Sequence, residues 1–160
     1  MNKPSFVYVT YIATTAEKAW NALIDPELTE RYWAHHHNVS DWKPGSAWQM
    51  IDRSDDDCVD IEGIVLENDA PRRLVVSWAY PRDAANPAAH SRVTYQIEPI
   101  GDIVKLTVTH DDLEPDSPML RGISDGWPVV LSNLKTLLET GERLPSSEQL
   151  WNRNANAAAT

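Results

Sequence analysis

One cysteine, one phenylalanine and a shortage of basic residues mark this 160-residue chain, and each scarcity excludes something. Cys58 stands alone, so no internal disulfide can form, which fits a reducing cytoplasmic setting. It lies in a strand-like stretch and reads as a small strand residue rather than a reactive nucleophile. Lys and Arg number 14 against 24 Asp and Glu, a net charge of −10. A surface of that sign repels phosphate backbones and anionic bilayers, so neither nucleic acid nor membrane is an expected partner. No run reaches the ~20 apolar residues of a membrane span. Residues 1–5 lack the apolar core of a signal peptide. No glycine-rich phosphate loop, nucleophile elbow or Cys/His zinc spacing occurs.

What is abundant is tryptophan. Seven Trp and five Tyr supply large rigid apolar surfaces, each with one polar handle. Residues 6–12 alternate as a strand. Thr14 to Glu17 has the spacing of a capping box, with Thr14 as the cap of a first helix carrying Ala16, Ala19, Trp20, Leu23 and Ile24 on one face. Asp25-Pro26 ends it and starts a second short helix reaching about Trp33. From Val39 the period changes to two. Strands are predicted over 47–53, 59–67, 74–80, 93–98 and 104–110, with an acidic tip at 54–57 and a Pro/Ala-rich loop at 81–89. Ser117-Pro118 then opens a long helix. Its stripe runs Leu120, Ile123, Trp127, Val130, Leu131, Leu134, Leu137 and Leu138, and Gly141 closes it. Gly126 and Pro128 predict a kink or break near Trp127.

The predicted class is therefore α+β, with about six antiparallel strands curved around the long C-terminal helix in a helix-grip arrangement and two short helices after the first strand. Residues 1–145 form one domain, and 146–160 read as a disordered tail. A sheet wrapped on one helix leaves a gap at one end, and that gap is the expected site. Strand and helix phases aim Trp33, Trp48, Met50, Trp78, Tyr95, His110, Ile123 and Trp127 toward it.

Several of these segments resemble the START/Bet v 1-like (SRPBCC) superfamily, in the branch related to the activator of the heat-shock protein 90 ATPase. They are Thr15-Ala16-Glu17-Lys18-Ala19-Trp20-Asn21-Ala22-Leu23, Asp25-Pro26-Glu27-Leu28 leading to Tyr32-Trp33, and Pro44-Gly45-Ser46-Ala47-Trp48. Val93-Thr94-Tyr95, Leu106-Thr107-Val108-Thr109-His110 and the stretch from Gly126-Trp127-Pro128 to Leu137-Leu138-Glu139 complete the set. The resemblance covers about residues 6–141. It implies a cavity between sheet and long helix. Superfamily functions include lipid and hormone carriage, polyketide cyclisation, antibiotic sequestration and chaperone co-activation, so fold alone does not assign one. This branch shares no catalytic set, so no catalytic residue is carried over. Gly45-Ser46 stands where the family often has two glycines.

Three readings follow. The first is binding of a hydrophobic or aromatic small molecule, with His110 among the groups that orient it. The second is docking on a chaperone without a functional cavity. The third is an enzyme of the cyclase or dehydratase type with His110 and Tyr95 as acid–base groups. No cofactor is expected, and the chain is a monomer or homodimer. His35-His36-His37 reads as a polar loop at the cavity mouth. Neighbours on an extended segment point to opposite sides, so at most His35 and His37 could share an ion, and no metal is expected. Asp52, Asp55, Asp56, Asp57, Asp60 and Glu62 read as a solvated acidic hairpin.

Overall fold

A computed structural model describes residues 2–147 and 149–150. The tail read as disordered, 146–160, lies mostly outside the described residues. Seven strands form one antiparallel sheet. They are β1 (Phe6–Ile12), β2 (His36–Ser40), β3 (Ala47–Asp52), β4 (Cys58–Asp69), β5 (Arg73–Trp78), β6 (Ser91–Ile100) and β7 (Ile103–Asp111). Their spatial order is β1-β7-β6-β5-β4-β3-β2. Helices α1 (Ala16–Ile24) and α2 (Pro26–Tyr32) follow β1, and α3 (Pro118–Thr140) ends the fold. The helix-grip architecture expected from the sequence is the one observed. Among the described residues no helix is long and apolar enough to cross a membrane.

Four details differ from the expectation. The strand count is seven because His36 and His37 belong to β2, paired with Asp52 and Ile51, and not to a loop. Their polarity hid the strand, and each imidazole Nε2 faces a carboxylate, Asp60 for His36 and Glu30 for His37. The cap of α1 is Thr15, whose hydroxyl accepts from the Lys18 N–H, rather than Thr14. The Pro/Ala-rich loop carries two short 3-10 turns, Pro81–Asp83 and Pro87–Ala89. Finally, α3 runs unbroken through Pro128. Proline supplies no N–H to the Ser124 carbonyl, a loss of about 3 kcal/mol in a helix interior. The apolar stripe outweighs it: Ile123, Trp127, Val130, Leu131, Leu134 and Leu137 are all buried against the sheet. Gly141, at φ 83°, caps the C-terminus in the left-handed conformation and returns its N–H to the Leu137 carbonyl.

The inner face of the sheet follows the two-residue period. Val104, Leu106, Val108 and His110 of β7, Val93, Tyr95 and Ile97 of β6, and Leu74, Val76 and Trp78 of β5 are buried. A hydrogen-bonded chain through this core sets where α3 lies. The Trp127 indole N–H donates to His110 Nδ1 at 3.1 Å. That leaves the proton on Nε2, which donates to Ser91 Oγ at 2.7 Å, and the Ser91 hydroxyl donates to the Trp78 carbonyl at 3.2 Å. Each donor and acceptor of this Trp127–His110–Ser91 relay is paired, as burial demands. Burial pushes the His110 imidazole down to about 3, so it is neutral at physiological pH.

Two outcomes test this packing. Gly63 sits where β4 crosses beneath Trp48. An added Cβ would lie 1.9 Å from the Ser77 carbonyl oxygen and 2.8 Å from Trp48 Nε1, whose N–H donates to that same oxygen. Urea denaturation of Gly63→Ala should show a loss of roughly 2–4 kcal/mol, since backbone cannot yield as a side-chain tip does. His110 generates a pH signature. Above about 6.5 it is neutral folded or unfolded; below that the unfolded chain takes up a proton that the folded one refuses. Its contribution is therefore present above 6.5 and lost as pH falls toward 3, at up to roughly 1.4 kcal/mol per pH unit. Melting curves of His110→Gln, which can accept and donate but does not titrate, should show a shallower decline over that window.

Candidate functional site

Between the inner face of the sheet and α3 lies a cavity of ≈ 190 Å³, open to the surface beside the exposed Gly122 and lined by Trp33, His36, Met50, Trp78, Gly122, Ile123, Gly126, Trp127 and Val130. Each wall has a local cause. Trp33 caps the C-terminus of α2, where the helix gives way to a tight turn. Met50 lies on the inward phase of β3 beside Trp48. Trp78 ends β5, and Ile123 and Trp127 sit one turn apart on the buried stripe of α3. Gly122 and Gly126 are one turn apart on the same helix and bring no side chain, which leaves room beside Trp127.

The tryptophans touch as a cluster. Trp33 meets Trp127 edge-on with ring centres 5.3 Å apart, and Trp78 lies 5.6 Å from Trp127 and 6.3 Å from Trp33. Such pairs each add about 0.5–1.5 kcal/mol beyond area burial, so these walls are stiff. The Trp78 indole N–H is buried with no hydrogen-bond partner among the described residues. An unmatched buried donor costs about 1–3 kcal/mol.

Of the eight residues aimed at this gap from the sequence, Trp33, Met50, Trp78, Ile123 and Trp127 line the cavity. Trp48, Tyr95 and His110 stand behind its wall. Trp48 packs on Trp78 at 5.3 Å, Tyr95 meets the Trp127 edge at 5.9 Å, and His110 is fully buried with both ring nitrogens engaged. Burial pushes the Tyr95 phenol far above its ordinary range. Both side chains are buried and neither lines the cavity, so neither is placed against a molecule held there.

Four lining residues lay outside that set, His36, Gly122, Gly126 and Val130, and His36 is the polar one. Ala34 and His35 take left-handed φ values of 46° and 64°, and this turn brings the His36 ring to the cavity rim. Its Nδ1 lies 2.9 Å from both the Trp33 and Ala34 carbonyl oxygens. Its Nε2 faces Asp60 Oδ2 at 2.6 Å and Asp52 Oδ2 at 3.8 Å. Burial raises the Asp52 carboxyl, but hydrogen bonds from the Ser54 hydroxyl and N–H, with the His36 and His35 imidazoles, hold it below the usual range. The signal was the cross-strand register, in which His36 stands opposite Asp52.

A second, larger hollow of ≈ 600 Å³ lies on the outer side of the sheet. Its walls are β3, β4 and the 81–90 loop, with Ala47, Ile64, Leu66, Pro87 and His90 among the lining residues. It is a surface groove, for Ile64 and Leu66 are 39% and 46% exposed.

Solved structures of similar shape cover nearly the whole chain. CalU16 from Micromonospora echinospora matches with a TM-score of 0.69 at 22% identity, over 98% of this chain and 87% of that one. PFC0360w, an HSP90 activator from Plasmodium falciparum, matches with 0.64 at 21%, over 92% and 96%. The Aha1 dimer from Colwellia psychrerythraea matches with 0.68 at 17%, over 86% and 98%. Identities this low establish a shared fold. Among curated proteins none matches this chain. Residues 13–139 match the family described as activator of Hsp90 ATPase homolog 1-like protein, from the residue after β1 to the last turn of α3. The chain belongs to that family.

Proposed function

We propose that this protein binds a small aromatic molecule, one or two rings in size, between its sheet and α3. The observation that carries this reading is the space walled by Trp33, Trp78 and Trp127 beside the side-chain-free Gly122 and Gly126. Apolar walls favour an apolar occupant by about 25 cal/mol per Å² removed from water. Volume limits the choice. About 150 Å³ suffices for benzene, whereas drug-sized ligands occupy about 300–1,000 Å³. At ≈ 190 Å³ the cavity suits a phenol, an indole or a naphthol, while a sterol or fatty acid would require the walls to move.

A second reading rests on the outer groove. Its exposed Ile64 and Leu66 form an apolar strip on a strongly acidic protein, suited to docking on a larger partner such as a chaperone. A structural relative is described as an HSP90 activator, which gives that reading its partner class.

Calorimetric titration separates the two. Naphthol should bind at one molecule per chain, and cholesterol should not bind. Gly126→Leu puts a side chain where a Cβ meets nothing within 4 Å, so the melting temperature should hold while naphthol affinity falls at least about tenfold. The docking reading predicts no heat with any small aromatic, and loss of binding to an Hsp90-type ATPase in Ile64→Glu.

A further inference from the structure

We propose that His36, Asp52 and Asp60 form a binding site for one divalent transition-metal ion at the rim of the inner cavity. Their donor atoms all lie within 4.8 Å of one another. Three adjacent strands supply them. His36 of β2 stands opposite Asp52 of β3 in the ladder. Between β3 and β4 the register shifts, with Ile51 opposite Val59 but Met50 opposite Ile61, so Asp60 is the bulged residue. Bulges re-aim side chains, and here the Asp60 carboxylate lies against the His36 ring.

The hydrogen bonding around His36 shows why a cation belongs there. Nδ1 faces two backbone carbonyl oxygens, so it carries a hydrogen, and the Nε2 lone pair is then directed at two carboxylates. Lone pair against carboxylate is repulsive unless a positive centre lies between them. A proton on Nε2 is one such centre, and a metal ion is the other. The carbonyl contacts on Nδ1 are also the usual way a ligating imidazole is oriented. Asp52 is prepared in the same manner. Its Oδ1 accepts from the Ser54 N–H at 2.8 Å and the Ser54 hydroxyl at 2.6 Å, which leaves Oδ2 for the ion. Asp60, 44% exposed at its side chain, is free to adjust.

Small shifts of the two carboxylates accommodate the ion. With bonds of about 2.0–2.2 Å, neighbouring ligands of a tetrahedral zinc shell stand about 3.3 Å apart, so on binding the exposed Asp60 carboxylate, 2.6 Å from His36 Nε2, moves outward and Asp52, at 3.8 Å, closes in. One imidazole and two carboxylates favour zinc or a similar first-row ion, whereas calcium requires six or more oxygens. Asp55, Asp56 and Asp57 on the adjacent hairpin raise the local concentration of cations. His37 is engaged with Glu30 and stands apart from the trio. The site does not depend on what fills the cavity.

Titration of the full chain with zinc chloride, followed by calorimetry and native mass spectrometry, tests the assignment. One zinc per chain is expected. His36→Gln and Asp60→Asn should each weaken binding at least about tenfold, while His37→Gln and Cys58→Ser should leave it within about twofold. Melting curves of each variant confirm that the fold is retained. Absence of binding would mean that a proton alone holds the trio together and would overturn the proposal. Binding that survives both His36→Gln and Asp60→Asn, or that disappears with Cys58→Ser, would place the ion elsewhere and overturn it equally.

Discussion

The Trp127 indole N–H that donates to His110 is the contact on which the arrangement of helix and sheet depends. A helix packed on an apolar sheet can slide or rotate by small amounts at little cost, because hydrophobic burial is not directional. A buried hydrogen bond is directional, and losing one partner leaves the other unsatisfied at about 1–3 kcal/mol. His110 passes the constraint to Ser91 and then to the Trp78 carbonyl, so α3, β7, β6 and β5 are locked in one register. With Trp127 fixed, Ile123 takes the buried face beside it, and Gly122 and Gly126 border the space next to it. The cavity follows from that geometry: large rigid rings on one side, glycines on the other, and too little side-chain volume to close the gap.

Polarity around the cavity is divided by strand. The β5–β7 side is apolar and its polar groups are paired internally, with the Trp78 N–H as the exception among the described residues lining the cavity. The β2–β4 side ends in His36, Asp52 and Asp60, half in contact with water. The space beside α3 is thus apolar inside and charged at its rim. The bulge that displaces Asp60 and the left-handed turn at Ala34 and His35 both serve the rim, where backbone irregularity is most often retained.

Much of this was legible in the sequence. The period-two runs from Ala47 to His110 and the three-and-four stripe of α3 identify a sheet on a helix, and the tryptophans they place inward do meet. What escaped has physical reasons. His36 and His37 carry no strand signature, because the half-buried polar pairs that satisfy them come from positions up to 24 residues away. The same blindness separated the histidine run from the acidic hairpin, which only the β2–β3–β4 register brings together. Of the kink or break expected near Trp127, the break did not occur, since a local propensity of a few kcal/mol yields to a buried apolar face. His110, Tyr95 and Trp48 point inward as the alternation requires. Alternation cannot tell a residue that lines a cavity from one that backs its wall.

The central claim is that an open apolar chamber lies between Trp33, Trp78, Trp127 and the glycines of α3. Diffraction from crystals pressurised with xenon tests it most directly, because xenon enters dry apolar cavities and requires no knowledge of the natural occupant. The account predicts a strong xenon peak within contact of Trp33, Met50, Trp78 and Gly126, with the surrounding side chains unmoved. A helix–sheet interface without xenon, with these rings collapsed onto one another, would contradict it.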